Sequence, residues 1–221
     1  MLLRNSYLIF IKDFRLEFRS RYALNAIALF AMISLSAISF SIGGLRVSAP
    51  VLAALLWIVI FFSAMSGLAH IFVREEEQQT ADTLRLLTPP VTVFIGKWLF
   101  NVLLLLGLEV VIIPLYIIFL DVTTIQWATF IPVLILGSIA LSTIATIIAA
   151  IIAQTSNRGA LFAVLTFPLA VPVLRAAIQA TWTALEGGTL SACISDLQIL
   201  FSFSIVMFTA SVLLFDFIWR R

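Results

Sequence analysis

The sequence predicts an all-α integral membrane protein with six transmembrane helices and an N-terminal interfacial helix, in one domain over residues 1–221. Three observations carry that prediction: the composition, six long apolar windows, and a one-sided distribution of cations. Of the 221 residues, 62% are hydrophobic and only 11% charged, with a mean hydropathy of +1.17. Soluble domains hold about 45–50% apolar and about 25% charged residues, and a globular fold of this size has too little interior to hide the excess. Lipid is the solvent that such a chain requires.

A spanning helix needs roughly 20 mostly apolar residues to cross ~30 Å of hydrocarbon. Six windows qualify: 22–42, 51–73, 93–120, 126–153, 160–180 and 197–219. They are apolar on every face, whereas barrel strands alternate over ~10 positions. Helices satisfy their own backbone in lipid, so continuous apolarity reads as helix. The first twenty residues mix acids, bases and aromatics and are too long for a signal n-region, so they are read as retained.

With six spans and an inside N-terminus, the inner segments hold Arg4, Lys12, Arg15, Arg19, Arg21, Arg74, Arg85, Lys97, Arg158, Arg220 and Arg221, eleven of the thirteen cations. Arg46 and Arg175 remain for the outside. That bias places both termini in the cytoplasm. All loops are short, so chemistry has no extramembrane domain to occupy. No phosphate-binding Gly-x-x-x-x-Gly-Lys-Ser/Thr loop, Cys-x-x-Cys-His or His-Glu-x-x-His motif occurs. Cys193 is the only cysteine, which excludes an internal disulfide. The charge pattern offers nothing to nucleic acid. A non-enzymatic chain is expected.

Two segments outside the spans are candidates for function. On a helical wheel, Leu3, Tyr7, Phe10, Ile11, Phe14 and Phe18 share one face and Lys12, Arg15 and Arg19 lie opposite, the pattern of a helix lying in the headgroup region. Ile9 and Leu16 depart from it. Such a helix anchors and orients the chain, or positions a partner as an elbow. The segment 75–88 runs from acids into a short helical stretch that Pro89-Pro90 stops. Ala81, Leu84 and Thr88 share a face, with Leu87 at its edge. This is either a solvated loop or a helix shaped to press into a groove on a cytoplasmic partner.

Polar residues inside the spans are few. His70, the only histidine, lies about one turn from the inner end of its span and is read as an interface residue, although histidine is a common metal ligand. Glu109 lies twelve residues past Lys97, about 18 Å deep at helical rise. A charge there costs at least ~2.5 kcal/mol and faces the protein interior. Glu109 is expected either to stay neutral or to pair with Arg175 in the fifth span. Pro114, Pro132, Pro168 and Pro172 permit kinks; Pro168 and Pro172, four apart, stack on one face as a hinge or as static packing. Gly137, Ser138, Ala140, Ser142, Ala145 and Ala149 allow close helix contact.

The stretch Leu68-Ala69-His70-Ile71-Phe72-Val73-Arg74-Glu75-Glu76-Glu77, then Thr83-Leu84-Arg85-Leu86-Leu87-Thr88-Pro89 and Gly96-Lys97, resembles the permease subunit of the cytochrome c maturation ABC transporter, the haem exporter protein B family. The segment Asn157-Arg158-Gly159-Ala160-Leu161 and the span Phe167-Pro168-Leu169-Ala170-Val171-Pro172 are similar to that family's Arg-Gly turn and Pro-x-x-x-Pro helix. One departure stands out: ABC-2-type permeases often carry Glu-x-Gly-Thr-Leu-Glu, where this chain has Gln79-Thr80-Ala81-Asp82-Thr83-Leu84-Arg85 and no glycine.

The resemblance implies an ABC-2-type permease architecture in a bacterial inner membrane. It implies that 75–88 couples to a separate ATPase subunit, with Glu75, Glu76, Glu77, Asp82, Leu84, Arg85 and Leu87 as contact residues. It also implies ATP on that partner, haem as substrate, and a homodimer of permease subunits. Other cytochrome c maturation membrane subunits and a periplasmic haem chaperone would complete the set. The same architecture would also suit another substrate, such as a lipid-linked glycan or a drug, or a scaffold that moves nothing.

Overall fold

The computed structural model describes every residue except Met1, Ala69, Gln154, Ser156, Asn157, Arg220 and Arg221. It is 88% helical, without strands among the described residues, and six of its helices are long and apolar enough to cross a membrane. In chain order the helices are α1 (Leu2–Ser20), α2 (Tyr22–Ile42), α3 (Ala49–Leu68), α4 (His70–Glu77) and α5 (Ala81–Leu87). Then follow α6 (Pro90–Phe119), α7 (Trp127–Ile152), α8 (Arg158–Leu185) and α9 (Ile194–Trp219). The Arg-Gly turn expected at 157–159 begins at a residue outside those described, as do the terminal arginines used to orient the chain.

Proline chemistry sets several of these bounds. Pro89 precedes α6 with φ −58° and ψ 143°, and Pro90 opens the helix where its missing N–H costs nothing. The pair therefore ends α5 and starts α6 at once. Pro114, Pro168 and Pro172 lie inside unbroken helices. α6 is one rod of 30 residues, about 45 Å at helical rise. The kink that Pro114 permits does not interrupt the helix.

α7 is the hub. Most of its length is buried, packed against α8, α9, α6, α3 and α4, while α2 and α9 leave most of theirs uncovered. Gly137 on α7 admits the ring of Trp57 from α3: a Cβ there would fall 2.1 Å from Cη2. The indole Nε1–H donates to Thr181 Oγ1 of α8 at 2.8 Å, joining three helices at one point. At the end of the bundle that α8 reaches with Leu185, main-chain bonds close the layer. Gln126 N–H donates to Ala184 O at 2.9 Å, and the hydroxyls of Thr124 and Thr129 donate to Leu185 O and Gly188 O.

The opposite end gathers α1, α4 and α5, and with them most of the ionic side chains. α1 lies against α6 through a seam of Ser6, Ile9, Asp13 and Glu17, spaced at helical period and all buried. Tyr7 and Phe18 stay exposed, and Phe10 and Phe14 are half-buried. The aromatic face is thus turned outward at Tyr7 and Phe18, while Phe10 and Phe14 pack partly against the core. Ile9, which broke the sequence pattern, belongs to the inner seam. Gly96 makes room for it, since a Cβ there would meet Ser6 O at 2.8 Å and Ile9 Cβ at 2.9 Å.

Candidate functional site

The side chain that organises the charged end is Lys97, one residue after Gly96. It is fully buried. Its ammonium lies 2.9 Å from Glu75 Oε1, 3.2 Å from Asp13 Oδ2 and 3.0 Å from the Ile71 carbonyl, and 5.2 Å from the centre of the Phe72 ring. Three donors thereby meet three acceptors from α1 and α4, the full capacity of an ammonium. Glu75 is shared further: it also accepts from Lys12 of α1 and from the Thr80 hydroxyl at the head of α5. A buried pair is worth keeping only when its hydrogen bonds are complete, and here they are. Four helices converge on one carboxylate.

α5 is then held in a fixed attitude. The Arg85 guanidinium donates to Asp82 at 2.7 Å and to Glu76 at 2.8 Å, and sits 5.0 Å over the Trp219 ring of α9. Trp219 in turn stacks on Phe215 and meets Phe72 edge-on. The turn between α4 and α5 passes through Gln79 at φ 55°, a left-handed residue with no glycine to supply it. Thr80 compensates by bonding Glu75 through both its N–H and its hydroxyl.

With α5 anchored in this way, its leucines divide. Ala81 is buried and Leu84 packs against the core, whereas Leu86 is 87% and Leu87 74% exposed. The helical face read from the sequence is real, and it is the inward one. Of the residues expected to touch a partner, Glu75, Leu84 and Arg85 hold the segment together. Glu77, Asp82 and Leu87 are exposed and Glu76 is half-buried beneath Arg85. Leu86, Lys97 and Asp13 were not among the expected contact residues. A cavity of about 700 Å³ bounded by Arg85, Leu86, Leu87, Pro89, Pro90 and Trp219 lies alongside the exposed leucines.

The two intramembrane ionic residues do not meet. Glu109 of α6 accepts a hydrogen bond from the Ser138 hydroxyl of α7. Arg175, exposed on α8, has Asp196 at the head of α9 as its electrostatic neighbour. α7 packs extensively against both α6 and α8 and separates them, which is why the expected pair does not form. Pro168 and Pro172 are exposed on the outer face of α8, as Arg175 is. His70 is exposed on α4 and borders a cavity of about 460 Å³ with Asp13, Glu17, Arg74, Glu77 and Asn101. Among the described residues no group of three or more His, Cys, Asp or Glu could hold a metal ion.

Six apolar spans with most of their ionic side chains drawn to one end define a multi-pass α-helical membrane protein. A family model described as CcmB protein matches residues 4–217, nearly the whole chain. The chain belongs to the CcmB family, the haem exporter protein B of cytochrome c maturation, and is a membrane component of that exporter. No curated protein matches it.

Proposed function

We propose that this chain is the permease subunit that receives the stroke of a separate ABC ATPase through α4 and α5, with the charged end and both termini in the cytoplasm of a bacterial inner membrane. The observation that carries the reading is the pair Leu86 and Leu87, exposed on a helix that the surrounding ion pairs hold still. Exposed adjacent leucines on a fixed short helix are suited to a groove on a soluble partner. Force on α5 has a defined path inward. It passes from Arg85 to Glu76 of α4, and from Thr80 through Glu75 to Lys97, which stands at the foot of the third span. α1 follows through Asp13. A homodimer of this subunit, working with the other maturation membrane subunits, would use that motion for haem transfer or for releasing a haem-loaded periplasmic chaperone. ATP binds on the partner.

Co-purification with the ATPase subunit in mild detergent tests the proposal. Burying two leucines is worth roughly 3 kcal/mol or more, over a hundredfold in Kd. The double variant Leu86→Asp and Leu87→Asp is therefore expected to lose the ATPase while remaining a monodisperse membrane protein. Unchanged co-purification would remove α5 as the docking element. Leu84→Ala, which opens the inward face, is expected to lower thermal stability instead.

A further inference from the structure

A second polar feature runs into the membrane from the charged end and has no part in docking. Between α6 and α7 a line of buried polar groups climbs from the cavity that Asn101 borders. Asn101 is fully buried, and its amide donates to Thr146 Oγ1 at 2.9 Å. Its side-chain carbonyl Oδ1 is buried with no partner. Thr146 Oγ1 donates to the Ser142 main-chain carbonyl at 2.6 Å, and the Ser142 hydroxyl donates to the Asn101 main-chain carbonyl at 3.4 Å. One helical turn further in is Ser138, whose hydroxyl donates to Glu109. Side chains four apart on a helix stand about 5–6 Å apart at Cβ, within reach of two rotated hydroxyls. Ser138, Ser142, Thr143 and Thr146 are all fully buried on the same side of α7.

We propose that Glu109 is a proton-binding site in the middle of the membrane, loaded from the charged-end cavity along the Asn101–Thr146–Ser142–Ser138 line. The ligand is a single proton: the carboxylate of Glu109 takes it up and becomes the carboxylic acid, and release reverses the step. Glu109 faces no ion pair, for α2, α3 and α7 carry no charged residue. On α6 itself, Lys97 lies three turns away in its own cluster and Tyr116 is the next titratable group beyond. The ionic residues of α1 lie at the charged end, and Asp196 and Asp216 lie near the two ends of α9. A group so placed changes charge only by exchanging a proton, and the unpaired Asn101 carbonyl marks the side on which the line meets the polar cavity. Static packing alone would not need that orphaned acceptor beside the polar cavity.

Infrared spectroscopy of the full chain in lipid nanodiscs tests this directly. The expected result is a carboxylic-acid C=O band that Glu109→Gln removes and Ser138→Ala shifts. In D2O its exchange should slow about tenfold in Asn101→Leu, the rate change that ~1.4 kcal/mol of added barrier produces. Ser142→Ala should slow it as well. A protein with no Glu109-dependent band across the accessible pH range overturns the site. A band whose exchange is unchanged in both Asn101→Leu and Ser142→Ala overturns the route. Ser138→Ala and Asn101→Leu keep Glu109 in place, so the proposal stays testable if Glu109→Gln does not assemble.

Discussion

Lys97→Met is expected to destabilise the protein by about 3–5 kcal/mol, the cost of removing one member of a buried ion pair. The substitution preserves length and apolar bulk, so the loss isolates the charge. Without the ammonium, Glu75 and Asp13 stay buried with Lys12 as the nearest cation, and the Lys12 side chain is 38% exposed and pairs with both. The Ile71 carbonyl also loses its side-chain donor. Unfolding in lipid–detergent mixtures, followed by tryptophan fluorescence, measures the change. Combining Lys97→Met with Glu75→Gln should cost clearly less than the two singles summed, because the second change removes the charge that the first leaves stranded. A loss below about 1 kcal/mol for Lys97→Met, the range of a surface pair, would show that water reaches the cluster.

Gly137→Ala should cost about 2–4 kcal/mol, an unusual price for one methyl group. Overpacking a core costs about 1–3 kcal/mol because neighbours are forced from their rotamers. Here the neighbour has little freedom to retreat. The new Cβ would sit 2.1 Å from Trp57 Cη2 and 2.8 Å from Cζ3. The ring is fully buried and tethered by its N–H to Thr181. Moving it breaks that bond, and a buried donor left unmade adds about 1–3 kcal/mol. Trp57→Phe, smaller by the colliding ring, should recover part of the loss in the Gly137→Ala background while destabilising the parent. Unfolding midpoints of the four proteins decide the matter. If Trp57→Phe gives no recovery, the collision is not the cause.

The sequence made the spans legible because lipid imposes one demand on every residue of a window, so the signal accumulates along the chain. The helices of the structure fall within a few residues of the windows. They differ where polar chemistry extends them, as in α8, which runs to Leu185, or where an apolar window passes into a charged helix, as at His70–Glu77. The functional side chains were harder to read because their partners are far away in the chain. Lys97 meets Asp13 across 84 positions and Glu75 across 22. No periodicity announces such a pair, so Lys97 read as an inner cation and as part of the Gly96-Lys97 motif, without its partners. Ser138 was one small residue in an apolar run, and its bond to Glu109 could not be seen beside the more obvious charge of Arg175. For α5 the pattern identified the face of Ala81 and Leu84 but not its direction. That direction depends on Arg85 and Trp219, which come together only in the folded chain.

The close seat of α1 on α6 also sets an order of events during synthesis. Ser6 bonds the Thr92 carbonyl 86 positions later, and Ile9 fits over Gly96. At ~5–20 residues per second, α1 is made roughly 4–17 s before its receptor exists. Through that interval its aromatic side gives it a resting place on the lipid surface, while Ser6, Asp13 and Glu17 remain hydrated. α1 therefore waits for α6 before it can take its final place, and the emergence of Gly96 and Lys97 is the event that lets it dock.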